Sequence, residues 1–181
     1  MMDSSDKIQA ANPEALQIVK YPDPRLREIC TPIETIDEPL IRLVEGMWRL
    51  MLESRGVGLA APQVGVTVRL FAASPSFSPE DLQVYINPRI IEASGTTEEE
   101  EGCLSFPLVY AKLKRSATVV VEAMDLQGDI FHETCQDLHS RIIQHELDHL
   151  DGRLLVDRMG AVSKIANRRA LKDLEAQFKP A

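Results

Sequence analysis

The stretch Gln144-His-Glu-Leu-Asp-His-Leu-Asp-Gly152 constrains the fold more than any other part of the chain. Apolar residues recur at helical spacings at Leu138, Ile142, Ile143, Leu147 and Leu150, and Gly152 stops the run. The pattern predicts a helix. On a helix His145 and His149 lie one turn apart on one face. Glu146 is rotated by about 100° from His145. Two imidazoles and a carboxylate beside an apolar stripe cannot be buried without partners, because unpaired polar groups are costly in a core. A metal ion held by both histidines supplies the partner, and Glu146 then reaches a water on that ion without becoming a ligand. The plainer reading, polar residues matching the motif on an ordinary half-buried helix, is the weaker one.

Nothing inside the stretch offers a third ligand. A metzincin would place a histidine where Leu155 stands, so that pattern is excluded. Asp157 and Glu175 are downstream carboxylates that could serve, although each is equally ordinary as a salt-bridge or surface residue. Upstream, Glu101-Gly-Cys-Leu-Ser105 sets a thiol directly after a glycine at the end of a polar loop. A divalent metal supplies the positive charge that a thiolate needs near neutral pH. Two nitrogens and one sulfur would leave a fourth position open for water, as a catalytic site requires. Cys30 and Cys135 read as buried packing.

The segment Gly56-Val-Gly-Leu-Ala-Ala-Pro-Gln-Val-Gly65 is small and apolar and carries one polar side chain, Gln63. It lacks the lysine and spacing of a phosphate loop. By itself it reads as a tight turn, yet the Gln63 amide can donate two N–H bonds, which suits a developing oxyanion.

The rest of the chain sets the frame. Asp37 caps a helix predicted over 38–54, with Leu40, Val44, Met47, Trp48 and Met51 on one face. Residues 68–74, 84–91, 118–124 and 129–134 read as strands, with Pro88 at an edge or bulge and Asp125–Gly128 as a hairpin turn. The acidic run 96–102 reads as a solvated loop, and residues 1–15 as a mobile polar leader. A last helix is expected over 161–177 with Val162, Ile165, Leu171, Leu174 and Phe178 as its apolar set. Helix first, strands in the middle and helices last predict an α+β fold with a mainly antiparallel sheet. We read 16–160 as the main domain and 161–181 as a helix packed on it.

The chain has 181 residues, a net charge of −8 and three cysteines. The acidic balance argues against DNA or any broad nucleic-acid surface. The odd, sparse cysteines argue against a disulfide framework. No signal-like segment or apolar run of about 18 residues stands out, so a cytoplasmic protein without membrane contact is expected. The face of the last helix with Lys164, Arg168, Arg169 and Lys172 reads first as solvated, balanced by Asp173 and Glu175; docking near ribosomal RNA is its functional alternative.

Together, Gly56–Gln63, Glu101–Ser105 and His145–His149 resemble peptide deformylase, which shows GxGLAAxQ, EGCLS and HExDH in this order. The resemblance covers roughly residues 17–160 and includes the flanking PDPRLR, INP and HLDG. It implies that Cys103, His145 and His149 hold the metal and that Glu146 is the general base and acid. It implies Gln63 and the Leu104 N–H as oxyanion donors and places Gly58 beside the substrate backbone. Fe²⁺ is the implied ion, with Ni²⁺, Co²⁺ or Zn²⁺ able to substitute. The metal helix should lie at the centre of antiparallel strands. The implied reaction is removal of the N-terminal formyl group from N-formylmethionyl nascent peptides, with release of formate. Leu138 and Ile142, beside His145, form a candidate methionine pocket, with Tyr110 along the peptide path. Phe106-Pro107-Leu108, Tyr110, Glu99 and Arg141 depart from many members, and the charged pair bears on side-chain preference. The competing readings are a zinc metallopeptidase with a carboxylate third ligand and an inactive metal-bearing binding protein.

Overall fold

Strand alternation shows how the sheet is used. In β2 (Leu70–Ala73), Leu70 and Ala72 enter one buried cluster, whereas Phe71 and Ala73 enter another. β3 (Gln83–Ser94) repeats this with Val84 and Ile86 on one side and Tyr85 on the other. A sheet buried on both faces needs a cover on each. The covers are α2 (Glu38–Glu53), through Leu40, Leu43, Val44, Met47 and Met51, and α3 (Asp137–Leu150), through Ile142, Ile143, Leu147 and Leu150. The computed structural model describes residues 2–179.

The main sheet has five antiparallel strands in the order β1-β2-β3-β6-β7, with β1 at Gly58–Ala60, β6 at Thr118–Met124 and β7 at Ile130–Gln136. The β3–β6 register slips between Ile86 and Arg89, so Pro88 sits at an irregularity as its missing N–H requires. The next residue upstream, Asn87, has a positive φ, and its amide bonds both backbone groups of Ile33 at 2.8 Å.

β4 (Thr97–Gly102) and β5 (Tyr110–Arg115) form a separate two-stranded sheet. The acidic run is therefore a strand, not the solvated loop expected. Its register explains why: Glu98 faces Lys114 and Glu100 faces Lys112, and opposite charges directly across a ladder stabilise the pairing. A polar segment of this kind shows no apolar alternation by itself. α3 lies between the five-stranded sheet and this hairpin: Arg115 of β5 donates to Asp148 at 2.6 Å, and Ser140 Oγ donates to the Ser116 carbonyl at 2.9 Å. The metal-motif helix is thus central.

Two further expectations are corrected. The described part of the leader is not loose: Ser4–Gln9 forms α1, capped by Asp3, and Ile8 enters the cluster beneath α2. The last helix is broken at Asn167 into α5 (Ala161–Ala166) and α6 (Arg168–Gln177). Val162 and Ile165 are 82% and 75% exposed, whereas Leu171 and Leu174 pack against a third cluster. That cluster joins Leu113 of β5 to Leu154, Leu155 and Met159, with α4 spanning Leu155–Arg158. The Asn167 amide donates to the Tyr110 carbonyl at 2.7 Å, which ties the break to the hairpin. No helix among the described residues is long and apolar enough to cross a membrane.

Candidate active site

α3 carries His145, Glu146 and His149 into the interior, and Glu146 and His149 are almost fully buried. Cys103 follows Gly102 at the end of β4 and approaches from the hairpin side. Cys103 Sγ lies 3.3 Å from His149 Nε2. The Sγ and one nitrogen from each histidine all lie within 4.8 Å of one another. This is a soft, compact N₂S donor set, suited to a transition metal and poorly suited to Mg²⁺ or Ca²⁺.

The rival carboxylates are engaged elsewhere. Asp157 pairs with Arg27 and accepts the Leu154 N–H at 2.8 Å. Glu175 accepts the Tyr21 hydroxyl at 2.8 Å. Neither joins the histidines, and Leu155 is buried packing.

A layer of charge behind the ligands holds them in place. Glu101 Oε2 lies 3.0 Å from His145 Nδ1, which leaves Nε2 free to coordinate an ion. The same carboxylate takes two bonds from Arg115, each at 2.9 Å, and one from Arg141 at 2.6 Å. Arg115 also reaches Asp148, which is shared with Arg158. Burial pushes the Glu101 carboxyl up, but the Arg115 and His145 hydrogen bonds outweigh it and hold the group well below the usual carboxylate range. Burial also lowers His149, favouring the neutral form that coordinates.

Sequence reasoning missed this layer. EGCLS and HELDH contain Glu101 and Asp148 but assign them no role, and Arg115 belongs to no motif. Arg115→Leu should leave two buried carboxylates undercompensated. We expect a loss towards the lower end of about 3–5 kcal/mol, because Arg141 and Arg158 remain. The midpoint of urea unfolding measures it; an unchanged midpoint would refute the support role.

A cavity of about 620 Å³ opens onto the ligands. It is lined by Gly58, Gln63, Cys103, Leu104, His145 and Glu146, and also by Leu138, Ile142 and Tyr110. These nine residues thus share one cavity, and His149 meets Cys103 and His145 behind it. Arg141 also lines it, but its guanidinium is spent on Glu101, Thr97 and the Leu113 carbonyl. Glu99 is exposed on β4 and does not line the cavity. The charges expected near the methionine pocket therefore do not face a ligand there as free groups.

Glu146 sits in this cavity with Oε2 buried and without a hydrogen-bond partner among the described residues. Burial raises its carboxyl from the ordinary range to about 7. Gln63 is fixed at both ends of its amide. Its Oε1 accepts the Ala60 N–H at 2.8 Å, and its Nε2 lies 3.2 Å from Ser105 Oγ and 3.5 Å from Cys103 Sγ. The amide nitrogen is thereby aimed at the thiol side of the cavity.

The family model described as polypeptide deformylase matches residues 15–164. The chain belongs to the peptide deformylase family. It is similar to the peptide deformylase of Acidobacterium capsulatum, with 42% identity over 87% of this chain and 94% of that one. The solved peptide deformylase of Plasmodium falciparum superposes with a TM-score of 0.86 at 37% identity, covering 91% of this chain and all of the other (100%). That of Legionella pneumophila gives 0.84 at 40% identity, covering 91% and 99%. As a peptide deformylase the chain is a metal-dependent hydrolase that removes the formyl group from nascent N-formylmethionyl peptides.

The deformylase fold also explains one glycine that the sequence placed only beside the substrate. A Cβ on Gly58 would overlap the Glu146 carboxylate. Gly58→Ala should therefore displace the carboxylate without touching a ligand. A misplacement of about 1 Å can cost roughly 10²-fold, so we expect kcat/KM to fall by about that much with metal content unchanged. Wild-type turnover in the variant would show that the overlap is relieved elsewhere.

Proposed function

We propose that Cys103, His145 and His149 hold a ferrous ion and that Glu146 moves the proton in deformylation. The single observation that carries this reading is the meeting of the three ligand atoms beside a buried carboxylate with a free oxygen. A divalent cation bound there supplies a water nucleophile of lowered pKa and Lewis-acid polarisation of the formyl carbonyl.

The chain's own groups do the rest. Glu146 accepts the proton that the water gives up as its oxygen attacks the formyl carbon. Its carboxyl, raised to about 7 by burial, can both take a proton near neutral pH and return it. Gln63 Nε2 and the Leu104 N–H donate to the oxygen that gains negative charge. Losing one such donor costs about 2.7–4 kcal/mol. Glu146 then delivers its proton to the leaving amine, and formate and the free N-terminus separate. Glu101 keeps His145 in one tautomer throughout.

Gly58 lies on β1, an edge strand of the main sheet that borders the cavity. An extended peptide can add to such an edge through main-chain hydrogen bonds. Ile142 and Leu138 offer apolar surface for the methionine side chain, and Tyr110 flanks the path at the rim. Substrates are nascent chains, so the reading places the protein in the cytoplasm, with residues 16–160 as the catalytic unit. The basic residues of α5 and α6 (Lys164, Arg168, Arg169 and Lys172) are its ribosome-facing side. Charge reversal at Arg168 and Lys172 should reduce co-sedimentation with ribosomes; unchanged co-sedimentation removes that contact.

The decisive experiment is formate release from formyl-Met-Ala by protein prepared without oxygen, with metal analysis of the same sample. We expect one iron in the deformylase site and activity that declines in air, because ferrous iron beside a thiolate is oxidisable. Full activity after hours in air would exclude iron as the native ion. Peptide-bond cleavage of unformylated Met-Ala without formate release would favour a peptidase.

A further inference from the structure

A second cluster of metal-binding side chains lies outside the deformylase site. β7 alternates so that Phe131, Glu133 and Cys135 turn inward, towards the sheet face covered by α3. His139, in the first turn of α3, meets them. One ligand atom from each of Glu133, Cys135 and His139 lies within 4.8 Å of the others. Cys135 Sγ is 3.7 Å from His139 Nε2. In a tetrahedral zinc site, bond lengths of about 2.3 Å to sulfur and 2.0–2.1 Å to nitrogen put those two atoms about 3.6 Å apart. The spacing resembles that of Cys103 and His149 in the catalytic set, 3.3 Å.

The surroundings supply an outer partner and a way in for an ion. Tyr85, buried in the sheet, lies with its hydroxyl 2.7 Å from Glu133 Oε2 and 3.0 Å from His139 Nε2. The same hydroxyl also meets Gln83 Oε1; a phenol has one proton, and given to Glu133 it orients the carboxylate as an outer partner of a ligand. Cys135 is fully buried, whereas the His139 and Glu133 side chains are 19% and 27% exposed. The cluster is therefore open to solvent on one side, where an ion can enter and a water can complete four-coordination. A thiolate, a carboxylate and a neutral imidazole balance a divalent ion in charge.

We propose that Cys135, His139 and Glu133 form a second, non-catalytic site for Zn²⁺ that ties β7 to the start of α3. Binding transfers the Cys135 thiol proton to solvent and joins the thiolate, one carboxylate oxygen and the His139 Nε2 to the ion. The junction it ties turns sharply, from the last residue of β7 straight into α3. No side chain caps the α3 N-terminus, and Asp137 has a positive φ of 49°. α3 carries the catalytic histidines, so the site steadies the active helix from a distance.

Metal analysis of the full chain, equilibrated with Zn²⁺ and freed of loose ion, tests this. Wild type should retain two equivalents. Cys135→Ser and His139→Gln should each retain one, with formate release within about twofold of wild type measured with the same metal, since neither residue lines the catalytic cavity. Added Zn²⁺ should raise the Tm of enzyme whose catalytic site is already filled, and only in wild type, because ligand binding to the folded state stabilises it. One equivalent in wild type, or two in all three proteins, overturns the proposal. If a variant does not fold, anomalous scattering at the zinc edge from wild-type crystals decides. A peak between Cys135 and His139 supports the site, and its absence removes it.

Discussion

Glu146→Gln is expected to lower kcat by at least about 10²–10⁴-fold, the usual range for loss of a positioned general acid–base group, while metal content and fold stay unchanged. Glutamine keeps the size of the side chain and its place against Gly58, whose missing Cβ makes room for the carboxylate. It cannot accept the water proton or return one to the leaving amine. Both proton transfers fail together, which makes this loss larger than that of Gly58→Ala. KM for formyl-Met-Ala should change little, because Glu146 acts on the reacting atoms and not on the peptide. Steady-state formate release with metal analysis on the same sample measures it. A variant within tenfold of wild type would reassign the proton to another group. Stability offers a second reading: replacing a buried carboxylate that has no partner on Oε2 should leave the protein at least as stable as wild type.

Cys103→Ser is expected to abolish tight metal retention at the deformylase site, and deformylation with it. Serine offers a hydroxyl that is not ionised near neutral pH, so the donor set loses its one anionic ligand. The affinity loss should exceed the roughly 10–100-fold that removal of an outer-shell partner costs. Asp157 and Glu175 cannot take over, because Arg27 and the Leu154 N–H hold the first and Tyr21 holds the second. Metal per chain after dialysis against a mild chelator gives the answer. A variant that keeps a full equivalent at the catalytic site would point to a carboxylate third ligand and a peptidase-like centre.

Much of the catalytic site is legible in the sequence, because its chemistry imposes residue types at fixed spacings. Two histidines four apart share a helix face whatever the surroundings, and a glutamate between them cannot point the same way. Leu155 alone removes the metzincin pattern. The strand from Thr118 to Met124 and the α2 cap at Asp37 were equally plain, since alternation and capping are local properties. The hairpin at Thr97–Gly102 was not, because its stability lies in lysines that face it across the ladder, twelve or more residues away in the chain. The break at Asn167 was also hidden. Its cause is a hydrogen bond to Tyr110 from a helix whose apolar pattern runs on without interruption.

The sequence by itself determined which residue types are offered for the proposed site and the coarse order of helix, strands and helices. These follow from periodicity and from what a thiolate, an imidazole or a carboxylate can do. Only the tertiary structure decided which third ligand meets the histidines, because Cys103 and His149 are brought to 3.3 Å by a hairpin folding over α3. It alone revealed the buried layer in which Arg115 joins Glu101 to Asp148. Buried charges are stable only when distant partners converge, and that convergence depends on how sheet, helix and hairpin pack. The same packing brought Glu133, Cys135 and His139 together, three residues with no motif to announce them.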